Sequence, residues 1–250
     1  MKIISFLLLL VVSTSVMAIP PANAINPIAF VILKKEDEQY NGVCQSLEVK
    51  CKSGTVVWKV KNSEDIFYLI SKTLELIKVK KVGSKYVKDG QWGLHINNNI
   101  EENSDDDLTK GDVYIYPALY PLNKEKQAIA LVTKWSEIYS GGGREEEYAD
   151  FVMLNSDGSY QIAFKHILFS SKEMIKACFT EEEYAKNAHC HDESWSILNI
   201  KFIDEYKTYY AWELTTKYFN WPAFTDKASI SVKTSKTLLH PFQLHVTSNN

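Results

Sequence analysis

The stretch YADFVMLNSDGSYQIAFKHIL (residues 148–168) decides the fold class. Two apolar segments, Tyr148–Leu154 and Tyr160–Leu168, flank the polar residues Asn155-Ser156-Asp157-Gly158. Asp-Gly between apolar segments is typical of the tight connection between two antiparallel strands. The stretch therefore predicts a β-hairpin, and it carries the strongest turn signal in the chain.

Outward from this hairpin, the second half of the chain shows more strand patterns in consecutive order, which favours antiparallel pairing. The segments are Val113–Leu119, Ala128–Tyr139, Trp195–Ile203, Thr208–Thr216 and Ala228–Lys233. Two capping boxes, Ser170 with Glu173 and Thr180 with Glu183, predict two short helices.

The first half is less regular. A strand is predicted at Ile28–Leu33, and a hairpin at Val43–Lys50 and Thr55–Lys61. Residues 62–82 favour a helix because their apolar residues have helical spacing, although Leu74–Val79 also alternates like a strand. Residues 83–112 are predicted to be a long irregular connection.

Together these patterns predict a β-rich α+β fold. It would be mainly an antiparallel sheet, sandwich- or barrel-like, with a few short helices, in a single globular domain over residues 19–250. Aromatic residues make up 12% of the chain, including 14 Tyr and 6 Trp, which also favours strands.

The N-terminus reads as a secretory signal. Met1-Lys2 precedes the apolar run Ile3–Val12, and small residues follow. Cleavage is expected after Ala18, with Ala24 as the alternative end. The run is too short to span a bilayer, so we expect a periplasmic or secreted protein without a membrane span.

Charge excludes some partners. The full chain has 28 Lys and Arg against 31 Asp and Glu, and removal of Lys2 with the signal changes the net charge from −3 to −4. Nucleic acids and anionic membrane surfaces select basic proteins. We therefore expect no nucleic-acid partner, whereas a protein partner or an envelope glycan fits this charge.

Four cysteines fall into two local pairs. Their even number in an exported chain predicts the disulfides Cys44–Cys51 and Cys178–Cys190. Neither pair has the spacing of a zinc knuckle.

The first candidate site is a glycine-rich segment that ends in charged residues. It consists of Tyr139, Ser140, Gly141, Gly142, Gly143, Arg144, Glu145, Glu146 and Glu147. Three glutamates would repel phosphate, and Ser140 is not in a nucleophile-elbow motif. The segment is interpreted as a partner-binding loop with a preference for cationic partners, or as a simple flexible connection.

The second candidate site is His189-Cys190-His191-Asp192-Glu193. Imidazole and carboxylate suit zinc, but a zinc site needs three or four ligands. His189, His191 and Asp192 are therefore weak metal candidates, and no metal or other cofactor is expected. A catalytic His and a solvated turn held by the disulfide are the alternatives.

Two further features are less specific. The acidic run Glu101–Asp107 is interpreted as a solvated loop that would attract a basic partner. An aromatic set near the C-terminus is interpreted first as core packing, and any members on the surface would suit sugar stacking or a protein interface. Its members are Trp195, Tyr206, Tyr209, Tyr210, Trp212, Tyr218, Phe219, Trp221 and Phe224.

No catalytic signature stands out, so the leading hypothesis is an exported, non-catalytic envelope protein that binds another macromolecule. An inhibitor or immunity-type protein against a hydrolytic toxin fits the size, export, disulfides and acidic loop. The alternatives are an envelope-directed hydrolase that uses the His189–Glu193 segment, and a glycan-binding module that uses exposed Tyr and Trp.

Overall fold

The fold is taken from a computed structural model, which describes residues 25–46, 51, 53–95 and 108–243. The expected signal peptide and the acidic run Glu101–Asp107 lie outside these residues. In the part of the chain that is described, no helix has the length and apolar character needed to cross a bilayer.

The described chain forms twelve β-strands, two α-helices and one 3-10 turn. The strands are β1 (Ile28–Ile32), β2 (Val56–Val60), β3 (Ile66–Ile70), β4 (Glu75–Val82), β5 (Lys85–Gly93), β6 (Thr109–Pro121), β7 (Gln127–Tyr139), β8 (Gly142–Leu154), β9 (Tyr160–Lys176), β10 (His191–Ile203), β11 (Ala211–Trp221) and β12 (Ser231–Leu239). The helices are α1 (Glu38–Ser46) and α2 (Glu181–Lys186), and the 3-10 turn is Lys227–Ser229.

All twelve strands belong to one antiparallel sheet, in the order β12-β11-β10-β9-β8-β7-β6-β1-β2-β3-β4-β5. Neighbours in the sheet are neighbours in sequence except around β1, which lies between β2 and β6. The prediction of a β-rich antiparallel fold is confirmed.

Strand β7 shows why the middle of the sheet is so apolar. Ala128, Ala130 and Val132 point into one core, and Ile129 and Leu131 point into another core on the opposite face. A strand buried on both faces reads as a continuous apolar run rather than an alternating one.

Three cores make the sheet a layered, sandwich-like structure. One face of β6–β9 packs against β2–β5. The other face packs against residues of β10 and β11, with Phe151 and Trp212 at its centre. A third core lies on the outer side of β2–β4, where Val43 of α1 is buried.

The helix predicted for residues 62–82 is wrong, because the segment forms β3 and β4. Leu74 has a positive φ of 58° in the turn between the two strands. Ile70 and Leu76 enter one core, while Leu69 and Ile77 enter another. Burial of both faces placed apolar residues at spacings that resemble a helix.

Three other local predictions are wrong. A strand is predicted at Val43–Lys50, but the described part of this segment, residues 43–46, is the end of helix α1. Cys44 lies on this helix. The helix at Ser170 is part of the long strand β9, where the Ser170 hydroxyl donates to Glu147. Residues 83–112 contain β5 and the start of β6.

Several local predictions are confirmed. The hairpin around Asn155–Gly158 joins β8 and β9, and Gly158 has the positive φ of 84° that favours glycine. Both disulfides have the predicted pairing. The capping box of Thr180 and Glu183 begins α2.

Candidate functional site

The sequence motifs meet at one end of the sheet, which we call the distal end. It is formed by the ends of β7 and β8 at their connecting turn, the end of β9, the start of β10, the end of β11 and the start of β12. Gly142 of β8 pairs with Ile175 of β9, and Ile175 pairs with Asp192 of β10. The glycine-rich segment and the His189–Glu193 segment are therefore adjacent.

The glycine-rich segment is a strand for most of its length, so the predicted loop is limited to a two-residue turn. Tyr139 pairs with Gly142, which leaves only Ser140 and Gly141 to connect β7 and β8. A Cβ atom on Gly142 would lie 1.9 Å from the backbone oxygen of Met174. Close packing of β8 against β9 thus requires this glycine, and no positive φ is involved.

Strand alternation divides the charged residues between two faces of the distal end. Directly paired residues share a face of a sheet. Arg144 and Glu146 lie on one side, which we call the polar face, and Glu145 and Glu147 lie on the other, which we call the aromatic face. The four residues therefore do not form one contact surface.

On the polar face, Glu146 is only 8% exposed and is held by two side chains. Arg144 donates from Nε and Nη2 to Glu146 Oε1, at 3.0 and 2.5 Å. The Tyr148 hydroxyl donates to Glu146 Oε2 at 2.6 Å, and the Tyr148 ring stacks on His166. Arg144 thus neutralises a buried carboxylate in its own strand.

The glutamates of the aromatic face are also paired. Glu145 lies 3.2 Å from Lys134 Nζ. Glu147 accepts hydrogen bonds from Tyr114 at 3.0 Å and from Ser170 at 2.8 Å. Burial, followed by the nearby Glu147 carboxylate, raises the pKa of the Tyr114 phenol well above its ordinary value. The acidic patch that the sequence suggested is thus engaged in internal contacts.

A shallow groove of about 320 Å³ crosses the polar face near the edge of the sheet. It is lined by Ser171, Ser194, Trp195, Tyr218, Phe219, Asn220, Ser231 and Lys233. Strand alternation directs the side chains of Trp195 and Phe219 to the opposite face, so the side chains of the other six residues form its polar lining. At its base the hydroxyls of Ser171 and Ser196 are 2.7 Å apart. Most of these groups are neutral hydroxyls and amides, which suit a neutral polar ligand better than an anion.

The aromatic face carries a row of side chains that runs across six strands. The row is Ser136, Glu145, Lys172, Trp195, Phe219 and Val232. The Trp195 and Phe219 rings are stacked, with centroids 5.0 Å apart and planes 4° apart.

Exposed apolar side chains surround this stack. Ile138 is 90% exposed, Val232 is 52% exposed, and Met174 and Ile197 are also exposed. The end of the row at Val232 lies on the edge strand β12, so the apolar surface reaches the border of the sheet.

The His189–Glu193 segment is built into the structure around the second disulfide. His189 is buried and stacks on Trp221, with ring centroids 3.6 Å apart. Its Nε2 atom has no hydrogen-bond partner among the described residues. Asp192 accepts a hydrogen bond from the Ala223 backbone at 2.8 Å.

The rings of the two histidines of this segment are not stacked on each other. The His189 and His191 rings are 6.4 Å apart. In the described ranges, no group of three or more His, Cys, Asp or Glu side chains is placed to hold a metal ion. The His189 ring packs against Trp221.

Sequence reasoning did not identify the polar groove. Serines 171, 194 and 231 come from three strands and converge only through the pairing register. Comparison of the chain with protein-family models, curated proteins and solved structures gave no match. The geometry of the distal end is therefore the basis for a functional proposal.

Proposed function

We propose that this chain is an exported, non-catalytic protein that binds another protein through the aromatic face of its distal end. The observation that carries the proposal is the stacked pair Trp195 and Phe219 within a rim of exposed apolar side chains. Exposed apolar patches of this kind mark interaction surfaces, and Trp, Phe and Met are enriched in them.

Export to the periplasm or the exterior is part of the proposal. The signal-like residues 1–18 support it, and so do the two disulfides, which form and persist in oxidising compartments. A secreted hydrolase is a suitable partner, which would make this chain an inhibitor or immunity-type protein.

The charge around the apolar row indicates which partner surface fits. Lys172 lies in the row beside Trp195, and Lys217 lies beside Ile197 in the neighbouring row. Both lysines are exposed, whereas Glu145 and Glu147 have partners within the chain and Glu193, a third glutamate on this face, is only partly exposed. We propose a partner with an apolar protrusion and carboxylates at its rim, in place of the cationic partner that the sequence suggested.

Substitutions on the two faces of the β10–β11 hairpin test this proposal. Replacing both Trp195 and Phe219 with Ala removes the stack, whereas Tyr218→Ala alters the opposite face of the same hairpin. The three proteins would be immobilised and used to capture partners from envelope and culture fractions, and affinity would then be measured with the captured protein.

We expect the double variant to weaken binding more than about tenfold, because aromatic residues dominate interface energetics, and Tyr218→Ala to bind like wild type. Circular dichroism and thermal unfolding would establish that each variant is folded. Unchanged affinity in a folded double variant would overturn the proposal.

The polar groove favours a second candidate, binding of a neutral glycan. Its hydroxyls, the Asn220 amide and the exposed Tyr218 ring suit hydrogen bonding to, and stacking on, a sugar. Sedimentation with insoluble peptidoglycan tests glycan binding. Here Tyr218→Ala is the test variant, and the Trp195/Phe219 double variant is the control. Loss of binding in Tyr218→Ala and its retention in the Trp195/Phe219 double variant would favour the glycan.

The hydrolase that the sequence left open has less support. Its candidate histidine, His189, is buried against Trp221, and its candidate carboxylate, Asp192, is engaged by a backbone N–H. A general base must reach the proton that it removes from a substrate.

A further inference from the structure

Strand β12 is an edge strand with unusual regularity. It pairs with β11 over nine consecutive residues, Ser231 to Leu239, without a register shift. Residues 231–238 are all exposed, and within the described chain no strand pairs with its outer side. Its outward backbone groups are available to a further strand.

The other edge of the sheet is protected. The pairing of β5 with β4 is broken by a register shift at Lys78 and Val79, and β5 contains Asp89 and Gly90. Helix α1 also packs against β5. Bulges and covering elements are the usual ways to prevent strand addition at an edge. Strand β12 shows neither among the described residues, although it carries two exposed lysines, Lys233 and Lys236, which also disfavour unmatched strand addition. The two edges are therefore not equivalent.

We infer that β12 is a self-association surface, at which two copies of the chain pair antiparallel about a two-fold axis at Ser235. In this register Ser235 faces itself. Val232 faces Leu238 of the second copy, Lys233 faces Thr237, and Thr234 faces Lys236.

Charge and polarity select this register over its neighbours. A shift by one residue in one direction places Lys233 opposite Lys236, and a two-fold axis at Lys236 places that lysine opposite itself. A shift by one residue in the other direction places Lys233 opposite Leu238. A two-fold axis at Thr234 places Val232 opposite Lys236. With the axis at Ser235, apolar residues pair with each other and every lysine faces a threonine.

The same register continues the aromatic face across the junction. Paired residues share a face, so Leu238 of the second copy would extend the row that contains Trp195, Phe219 and Val232. Leu238 and Val232 are each about half exposed in the isolated chain. Their contact gives the association an apolar component in addition to backbone hydrogen bonds. A single strand pair is a small interface, so the dimer should be concentration-dependent.

Cysteine cross-linking tests the register directly. All four native cysteines are in disulfides, so an added cysteine is the only free thiol. In the mature chain, Ser235→Cys places two thiols on opposing residues whose Cβ atoms are about 5 Å apart, which suits a disulfide. Thr237→Cys is the matched control, because it faces Lys233.

We expect mild oxidation to cross-link Ser235→Cys rapidly and Thr237→Cys at least about tenfold more slowly. Equal cross-linking of the two variants, or none in either, would overturn the inference.

Sedimentation velocity gives an independent test. Wild type should form dimers as its concentration rises, and Ser235→Asp, which brings two carboxylates face to face, should weaken association more than about tenfold. A wild type that stays monomeric at its highest soluble concentration would overturn the inference. An unchanged thermal transition would show that Ser235→Asp remains folded.

Discussion

At the scale of single residues, the most informative contact is the one between Arg144 and Glu146. A buried carboxylate is costly unless it is paired and hydrogen-bonded, and Glu146 receives three hydrogen bonds from two side chains. The charges that made the segment look like a binding motif thus stabilise the strand that carries them.

This contact leads to a prediction about stability. Glu146→Gln should lower the free energy of unfolding by about 1–3 kcal/mol, because the mostly buried Glu146 carboxylate and its ion pair with Arg144 are lost. Glu145→Gln is the matched control; its ion pair with Lys134 is about half exposed and should contribute less than about 1 kcal/mol. Urea unfolding of both variants gives the comparison, and equal losses would contradict this account of Glu146.

The residue scale also shows where sequence reasoning stops. The glycines of Tyr139–Glu147 predict a flexible loop, but the segment is a paired strand for most of its length. Gly142 is required because the backbone of β9 lies where its Cβ would be. Such a contact depends on Met174, which is 32 residues away, so it cannot be predicted from the local sequence.

At the scale of elements, helix α2 depends on Glu183. Its carboxylate accepts hydrogen bonds from the backbone of Phe179 at 2.7 Å and Thr180 at 3.0 Å, and these N–H groups lower the pKa of Glu183. A lowered pKa in the folded state means that the carboxylate stabilises the helix above its unfolded pKa. That contribution is lost as the pH falls through the folded value.

We therefore expect hydrogen-exchange protection of the α2 amides to decrease on acidification below about pH 4, after correction for the intrinsic exchange rate. Glu183→Gln should be less protected at neutral pH and should lack most of this decrease. Glu182→Gln changes the exposed partner of Lys186 and should keep the wild-type response. If Glu183→Gln showed the wild-type dependence of hydrogen-exchange protection on pH, the Glu183 carboxylate would not be what stabilises α2.

The elements differ in how well the sequence predicted them. The hairpin at Asn155–Gly158 and the helix at Thr180 carry their turn and cap residues locally, and both predictions are confirmed. The helix prediction for residues 66–79 is wrong because β3 and β4 are buried on both faces. Burial on both faces removes the alternation of apolar and polar residues that marks a strand. The helix predicted from the capping-box pattern at Ser170 is wrong, because the pairing of β9 with its neighbouring strands overrides the local preference for a helix.

At the scale of the whole molecule, Trp212 joins β10–β11 to the rest of the sheet. It is 1% exposed, and its ring contacts Phe151, Phe164 and Phe202. The layers on this face of β6–β9 are therefore held together by one aromatic cluster.

Trp212→Ala should lower the free energy of unfolding by about 3–5 kcal/mol, since it leaves a large cavity between the layers. Trp212→Phe should cost much less, because ring contacts remain and the Trp212 Nε1 atom has no hydrogen-bond partner in the described structure to lose. Denaturant unfolding measures both, and a small effect of Trp212→Ala would contradict the joining role.

The position of β1 between β2 and β6 has a consequence for how the chain reaches its native state. Most strands pair with the next strand to be synthesised, but β1 must also pair with Leu119 and its neighbour, near the middle of the chain. Contacts this distant in sequence form slowly. As the chain emerges, one edge of β1 therefore stays open until β6 arrives, and the two parts of the sheet join late. Because β1 has only five residues, its unpaired edge is short. A short unpaired edge limits strand pairing with other nascent chains.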